Sequence, residues 1–554
     1  MLEGCVPWPQ EFVGKYKKKG YWEGVTLGEA FDTWVKKYAD QPALAYQGKD
    51  ITYRQLDLYA TRIAYQMVKL GIKTYDRVIM QLFNVPELVY LFYACMKIGA
   101  IPICSLPTHR WNEISYIAQE SEARAHAIPA GVIREFDYEE FADKLRREVP
   151  DVKHILTVGK PGRPGMHSIT EFREQEIDLK KAKATLKRYR PDPMEPALFQ
   201  LSGGTTGVPK IIPRTHNDYL YNAKCVATAL DYNENSRVLA STPLIHNVAL
   251  VCMMLPLHCR GGVLVLPTSI TPEALLQAIS ENKADMMGIV PIFMHRLLEI
   301  PEDVRNRYDY SSLKRLMGMW NPADLTAQKF METFHCDGIQ TYGMSEGLVC
   351  WTRWTDPPEI RHGTSGSPVS EADECKVVDP ETHEEVQSGQ VGEMQCRGPY
   401  TIRGYYKSPE RNKEAFTPDG YYKTGDLVRM DSERQITWTG RIKDTIDRGA
   451  EKINAEEVET YILKFPKVKN VAVIGMPDKA MGERVCAFVV PQLAQTFTLA
   501  DLRTFLTSEI NVAEFKLPER LEFIDELPVT KIGKYEKKSL REKVTEMLKK
   551  EDKV

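Results

Sequence analysis

Leu201-Ser202-Gly203-Gly204-Thr205-Thr206-Gly207-Val208-Pro209-Lys210 follows directly on the apolar, strand-like run Ala197-Leu198-Phe199-Gln200. A loop of this composition leaving a strand is suited to holding an anion. Its three glycines let the backbone come close and turn its N–H groups inward, and three hydroxyls and Lys210 add donors and positive charge. The GxxxxGK[ST] spacing of a Walker loop is absent, so this is not a Walker phosphate loop.

On either side of that loop, short β-rich runs alternate with longer helical patterns. Arg77-Val78-Ile79-Met80-Gln81-Leu82 precedes a helical pattern through Leu88 to Lys97, and Ala284-Asp285-Met286-Met287-Gly288-Ile289-Val290 precedes another over 291–299. Strand and helix in alternation predict an α/β fold of parallel-rich sheets flanked by helices. Between Gly392 and Gly440 the pattern changes to short aromatic strands and glycine turns, which predicts a smaller, more antiparallel β-subdomain. A last segment of about a hundred residues opens at Gly440-Arg441-Ile442-Lys443-Asp444, a size that suits a small α+β domain. It carries a helical pattern over 455–464, strand patterns over 468–475 and 485–490, and a polar helical end. The expected division is therefore 1–440 and 444–554.

The 554-residue length predicts two or more domains. A net charge of −3 gives no electrostatic reason to expect nucleic acid or an anionic membrane. The start lacks the basic and apolar regions of a signal peptide, and no apolar run reaches the roughly 18 residues of a membrane span. Eleven cysteines without CxxC spacing point to reduced thiols in a cytoplasmic protein. Eleven histidines without HxxxH or HExxH spacing argue against a metal held by protein ligands alone.

Seven segments in order carry a resemblance to a known family. They are the loop at 201–210, Tyr342-Gly343-Met344-Ser345-Glu346, Gly392-Glu393-Met394 with Arg397-Gly398-Pro399, Gly404-Tyr405-Tyr406, Tyr422-Lys423-Thr424-Gly425-Asp426, Gly440-Arg441-Ile442-Lys443-Asp444, and Pro528-Val529-Thr530-Lys531-Ile532-Gly533-Lys534. Over essentially its whole length the chain resembles the ANL family of adenylate-forming enzymes, which comprises acyl- and aryl-CoA synthetases, peptide-synthetase adenylation domains and luciferases. The resemblance implies activation of a carboxylic acid by ATP with Mg²⁺ and transfer of the acyl group to a thiol.

It also implies a role for each motif residue. Ser202, Gly203, Gly204, Thr205, Thr206 and Lys210 are expected at the ATP phosphates, Tyr342 against adenine, and Asp426 at the ribose hydroxyls, which an acceptor-only group suits. Arg441 is expected at the ribose or phosphate, with Ser345 keeping a hydroxyl beside Glu346. Glu346 is the expected Mg²⁺ ligand; one carboxylate suffices because phosphates and water complete the shell. Lys534 is the expected catalytic residue, a fixed ammonium that stabilises charge gathering as a carboxylate attacks the α-phosphorus. Lys443 falls at the family's hinge, about which the mobile C-terminal domain turns between adenylation and thioester formation. Ala450 replaces a glycine that lines the thiol channel in relatives.

Among subfamilies the resemblance is to stand-alone activators of 2,3-dihydroxybenzoate and salicylate. It rests on Val6-Pro7-Trp8-Pro9, Lys210-Ile211-Ile212-Pro213-Arg214-Thr215-His216, Ile245-His246-Asn247 and the run following Gly343. This implies an aromatic acid as substrate, hydroxylated or dicarboxylic, with His246 and Asn247 beside its ring and His246 also a catalytic candidate. Cys252, Gly318, Trp320 and Val349 are expected at the same pocket. Two departures stand out: Leu316-Met317-Gly318-Met319-Trp320 replaces a Gly-Gly-Ala wall, and Val251-Cys252-Met253-Met254 is one residue short. Met319 and Trp320 there would shape a flat slot. Arg260 reads as a helix-end surface charge that, turned inward, would pair with a second carboxylate. The expected thiol is CoA or a carrier protein's phosphopantetheine, with CoA favoured. The alternatives are a fatty acyl-CoA ligase and a non-catalytic binding protein on the same fold.

Overall fold

The computed structural model describes residues 1–202, 209–320, 326–449, 451–492, 495–530 and 535–551. Strand and helix alternate as the sequence predicts: strand Arg77–Met80 leads to helix Pro86–Ile98, and strand Met286–Ile289 to helix Pro291–Leu298.

Two large sheets form the N-terminal domain. In the nine-stranded sheet, Pro42–Tyr46, Val263–Leu266, Arg237–Ala240, Met286–Ile289, Arg315–Gly318 and Asp337–Gly343 lie parallel in that spatial order. The seven-stranded sheet is parallel from Pro196–Leu201 through Ile101–Cys104, Arg77–Met80, Ala125–Pro129 and His154–Val158 to Met166–Ser168. Its edge strand Ile211–Thr215 returns antiparallel on Pro196–Leu201.

Successive side chains of a strand point to opposite faces, so a run apolar at every position is covered on both. Leu264 and Leu266 face a central core shared with Val78, Met80 and Leu198 of the other sheet, whereas Val263 and Val265 join an outer layer under helices Pro272–Asn282 and Pro291–Leu298. In strand Arg77–Met80, Val78 and Met80 likewise face the centre, and Ile79 packs under helices Trp111–Glu120 and Tyr138–Glu148. Helix Tyr53–Lys69 enters the central core behind a capping box, Thr52 accepting from Gln55 N and Gln55 answering from the Thr52 N–H.

Glu374–Val378, Val391–Arg397, Tyr422–Met430 and Ile436–Arg441 form the antiparallel subdomain, which begins earlier than the sequence predicts. The 3₁₀ turn Ile442–Asp444 carries Lys443 out of it into the smaller C-terminal domain. There the hairpin Val468–Asp478 and Gly482–Pro491 is covered on one face by Ala455–Ile462 and Leu499–Ser508 and on the other by Lys537–Lys550. No helix among the described residues is long and apolar enough to cross a membrane.

Candidate functional site

The antiparallel return of Ile211–Thr215 on Pro196–Leu201 closes the base of the 201–210 loop. Ser202 N donates to Lys210 O and Lys210 N to Ser202 Oγ, both at 3.0 Å. Gly203, Gly204, Thr205 and Thr206 lie outside the described residues, as do Ala450 and Lys534.

Lys210 joins a chain of polar groups drawn from three distant segments. Its ammonium stands 3.3 Å from the Tyr405 hydroxyl and 4.6 Å from that ring's centre. The Tyr405 hydroxyl donates to Glu346 Oε1 at 2.8 Å and contacts the Tyr422 hydroxyl at 3.0 Å. Burial pulls the Lys210 ammonium below its usual range, while Glu346 opposes that shift. Tyr405 is held through its backbone, its N–H donating to Asn412 Oδ1 at 2.8 Å and its carbonyl accepting from Asn412 Nδ2 at 3.0 Å.

A second cluster forms around Asp426. The strand Tyr422–Met430 bulges between Lys423 and Leu427, and Gly425 at its centre takes φ +68°, the left-handed region that glycine adopts without a Cβ penalty. The bulge aims the buried Asp426 at Tyr342, whose hydroxyl donates to Oδ2 at 3.0 Å. Arg441 Nε lies 3.0 Å from Oδ1 as an ion pair. That contact lacks hydrogen-bond alignment, and Oδ1 is a buried acceptor without a hydrogen-bond partner among the described residues. Lys443 lies exposed two residues on, its ammonium drawn down by partial desolvation and then by Arg441.

Arg214 braces the turn that bears Ser345 and Glu346. Fully buried, it donates through Nε to Asp218 Oδ1 (2.9 Å), through Nη1 to the Ser345 carbonyl (2.9 Å) and through Nη2 to the Tyr400 carbonyl (3.1 Å). The turn bearing Ser345 and Glu346 is thus tied to the strand Ile211–Thr215, which Lys210 directly precedes. Sequence reasoning assigned no role to Arg214, Tyr405 or Tyr219. A charged residue inside an apolar strand with an acid four positions later was the available signal for the first.

His246 is the N-cap of the short helix Asn247–Ala249, its Nδ1 accepting from Val248 N at 3.4 Å. Asn247 is buried, with Oδ1 accepting from Tyr219 at 2.8 Å and Nδ2 3.5 Å from the Met344 carbonyl. The following turn, Leu250–Met254, is a π-helix. Pro256 explains it: the ring crowds the Cys252 carbonyl four residues back and offers it no N–H, so the helix widens and the Tyr232 hydroxyl donates to that carbonyl at 2.9 Å. Cys252 and Val349 both belong to the central core.

Gly318, Trp320 and Arg260 each have a structural account. A Cβ at Gly318 would stand 2.4 Å from the Ile289 carbonyl, so a close backbone approach accounts for that glycine. Trp320 packs in the outer cluster with Phe330 and Phe334, its ring so close over Gly338 that a Cβ there would lie 2.9 Å from it. It fills core there, against the apolar side of helix Thr326–Phe334. Arg260 is exposed at its helix end and donates to Thr228 Oγ1 at 2.9 Å, the surface reading. His258, near it in sequence, is core: it contacts Tyr93 at 2.6 Å and the Ala43 carbonyl at 3.1 Å, and burial lowers its pKa to about 4.

These groups fit a nucleotide with its magnesium ion. A buried carboxylate oxygen still open to a donor suits a ribose hydroxyl. A buried glutamate beside a lysine suits Mg²⁺ held mostly by phosphates and water, and among the described residues no group of three or more His, Cys, Asp or Glu is placed to hold a metal ion.

Comparison with known proteins agrees in kind. Residues 31–406 match the AMP-binding enzyme family and residues 457–534 the AMP-binding enzyme C-terminal domain. The chain is 37% identical over 550 residues to the 2,3-dihydroxybenzoate-AMP ligase of Bacillus subtilis, covering 99% of each. It is 38% identical over 542 residues to the 2-hydroxy-7-methoxy-5-methyl-1-naphthoate–CoA ligase of Streptomyces carzinostaticus, covering 97% of this chain and 96% of that one. Among solved structures, Mycobacterium smegmatis MbtA without ligand is 33% identical with a TM-score of 0.72, covering 98% of this chain and 99% of that one.

Proposed function

The chain belongs to the AMP-binding enzyme family, and from that premise we propose that it joins an aromatic carboxylic acid to a thiol at the expense of ATP. A carboxylate oxygen attacks the α-phosphorus, the bond to pyrophosphate breaks, and an aryl-adenylate forms. A thiolate then attacks the acyl carbon and AMP leaves. The acceptor thiol is that of coenzyme A or of a carrier protein's phosphopantetheine.

The observation that carries this reading is the convergence of Tyr342 and Arg441 on Asp426, with one buried carboxylate oxygen left to receive a ribose hydroxyl. The 201–210 loop and Lys210 would take the phosphates, and Glu346 would hold Mg²⁺, which supplies charge neutralisation there when bound. Lys534 would stabilise charge gathering at phosphorus. Lys443 would act as the hinge between an N-terminal unit of 1–440 and a mobile unit of 444–554. An aromatic acid is favoured because two relatives matched over nearly their full length are named for aryl acids. His246 and Asn247 would stand at its ring, with Cys252 and Val349 behind them.

Pyrophosphate release measured with benzoate, salicylate, 2,3-dihydroxybenzoate, phthalates and straight-chain fatty acids, with and without CoA, tests the proposal. Release with a benzoic acid is the expected result, and CoA consumption identifies CoA as the acceptor. A clear preference for fatty acids would overturn the aryl assignment and leave the adenylation chemistry standing.

A further inference from the structure

We propose that Tyr219 is a positioning residue that fixes which atoms of Asn247 face the acid, so that the pocket presents an N–H donor to the group beside the substrate carboxylate. The proposal rests on the aryl-acid reading above and names the determinant that reading lacks.

A carboxamide offers oxygen from one side and nitrogen from the other, and a half-turn exchanges them. Asn247 is held against that exchange. The Met344 carbonyl can only accept, so the amide nitrogen faces it, and the oxygen then faces Tyr219 at 2.8 Å. Gln200 Nε2 lies 3.4 Å from the Tyr219 oxygen and donates to it, which leaves the phenol proton for Asn247 Oδ1. Burial keeps that phenol protonated, and its ring is clamped under the Arg214 guanidinium, 4.7 Å from the ring centre. The carboxamide oxygen is therefore spent within the protein. The nitrogen's own contact, 3.5 Å to Met344, is at the outer limit of a hydrogen bond, so its N–H groups are what Asn247 has to give.

This orientation discriminates between ring substituents of similar size. A hydroxyl beside the carboxylate donates its proton internally to that carboxylate and turns a lone pair outward, where an N–H meets it. An amino group in the same place also donates internally, but its second N–H points outward and its lone pair is drawn into the ring. Donor then meets donor, and a site built to donate rejects it.

Pyrophosphate release is to be measured with benzoate, salicylate and anthranilate on the wild-type enzyme and on Tyr219→Phe. The wild type is expected to favour salicylate over anthranilate in kcat/KM by about tenfold or more. Tyr219→Phe frees the carboxamide to turn, so that ratio is expected to fall to within about threefold, through a rise in the KM of salicylate relative to that of benzoate. Should Tyr219→Phe not fold, Asn247→Asp puts an acceptor in place of the N–H groups and is expected to reverse the order in favour of anthranilate. Wild-type preference for anthranilate, or a ratio that survives in Tyr219→Phe, would overturn the proposal. So would an equal loss on all three acids, the mark of a purely structural tyrosine. Absence of release with every aromatic acid would instead overturn the aryl reading beneath it.

Discussion

Arg441 and Asp426 face each other in register across two antiparallel strands, and the bulge at Gly425 sets the Arg441 Nε 3.0 Å from the Asp426 Oδ1 without aligning a hydrogen bond. The pair holds charge near that oxygen and leaves its lone pairs available. Asp426→Asn keeps the shape and replaces an acceptor-only group with one that also donates. A hydrogen bond to a charged group is worth about 1.5–3 kcal/mol, so the KM for ATP is expected to rise roughly ten- to a hundredfold. Calorimetric titration with ATP checks it, and unchanged affinity would remove Asp426 from the nucleotide site.

Tyr405 stands between Lys210 and Glu346, so its hydroxyl orders the carboxylate proposed to hold Mg²⁺. Tyr405→Phe is expected to shift the Mg²⁺ dependence of adenylation to higher concentration by several-fold, about 1 kcal/mol for one such bond. Glu346→Gln should shift it much further. Titrating Mg²⁺ into chelator-treated enzyme separates the two. An unmoved midpoint in both variants would show that Glu346 is no ligand.

Lys534 lies outside the described residues, and its role is testable by splitting the half-reactions. Lys534→Ala is expected to slow pyrophosphate release by at least about a hundred- to a thousandfold with ATP binding largely kept, since a group acting on transition-state charge spares the ground state. Near wild-type release would falsify the assignment.

Lys443 sits in the 3₁₀ turn between the last strand of the antiparallel subdomain and the first of the C-terminal domain. Lys443→Pro restricts φ where the two domains would rotate. Thioester formation from preformed aryl-adenylate is expected to drop more than adenylation. Equal losses in the two assays would rule out a selective hinge.

Tyr232 serves the carbonyl to which Pro256 cannot donate. Tyr232→Phe is expected to cost about 0.5–1.5 kcal/mol of stability, the net worth of a buried hydrogen bond. Urea unfolding measures this, and an unchanged midpoint would mean that the π-turn needs no outside donor.

Local chemistry made much of this protein legible in its sequence. Strand and helix alternate because apolar periodicity and backbone preference act over a few residues, and Gly425-Asp426 and the 3₁₀ turn at Lys443 stand where their residue types require them. Packing decided what meets what. Lys210 reaches Tyr405 across 195 positions and Tyr342 reaches Asp426 across 84, separations over which no periodicity carries information. Trp320 shows the same limit: it packs with helix Thr326–Phe334 in the outer cluster, and an apolar residue looks the same in sequence whether it lines a pocket or fills a core. Asn247 shows the finer limit. Its presence beside His246 was plain from the sequence, but the direction of its carboxamide depends on Tyr219 and Met344, one 28 and the other 97 positions away, which only the folded chain brings to it.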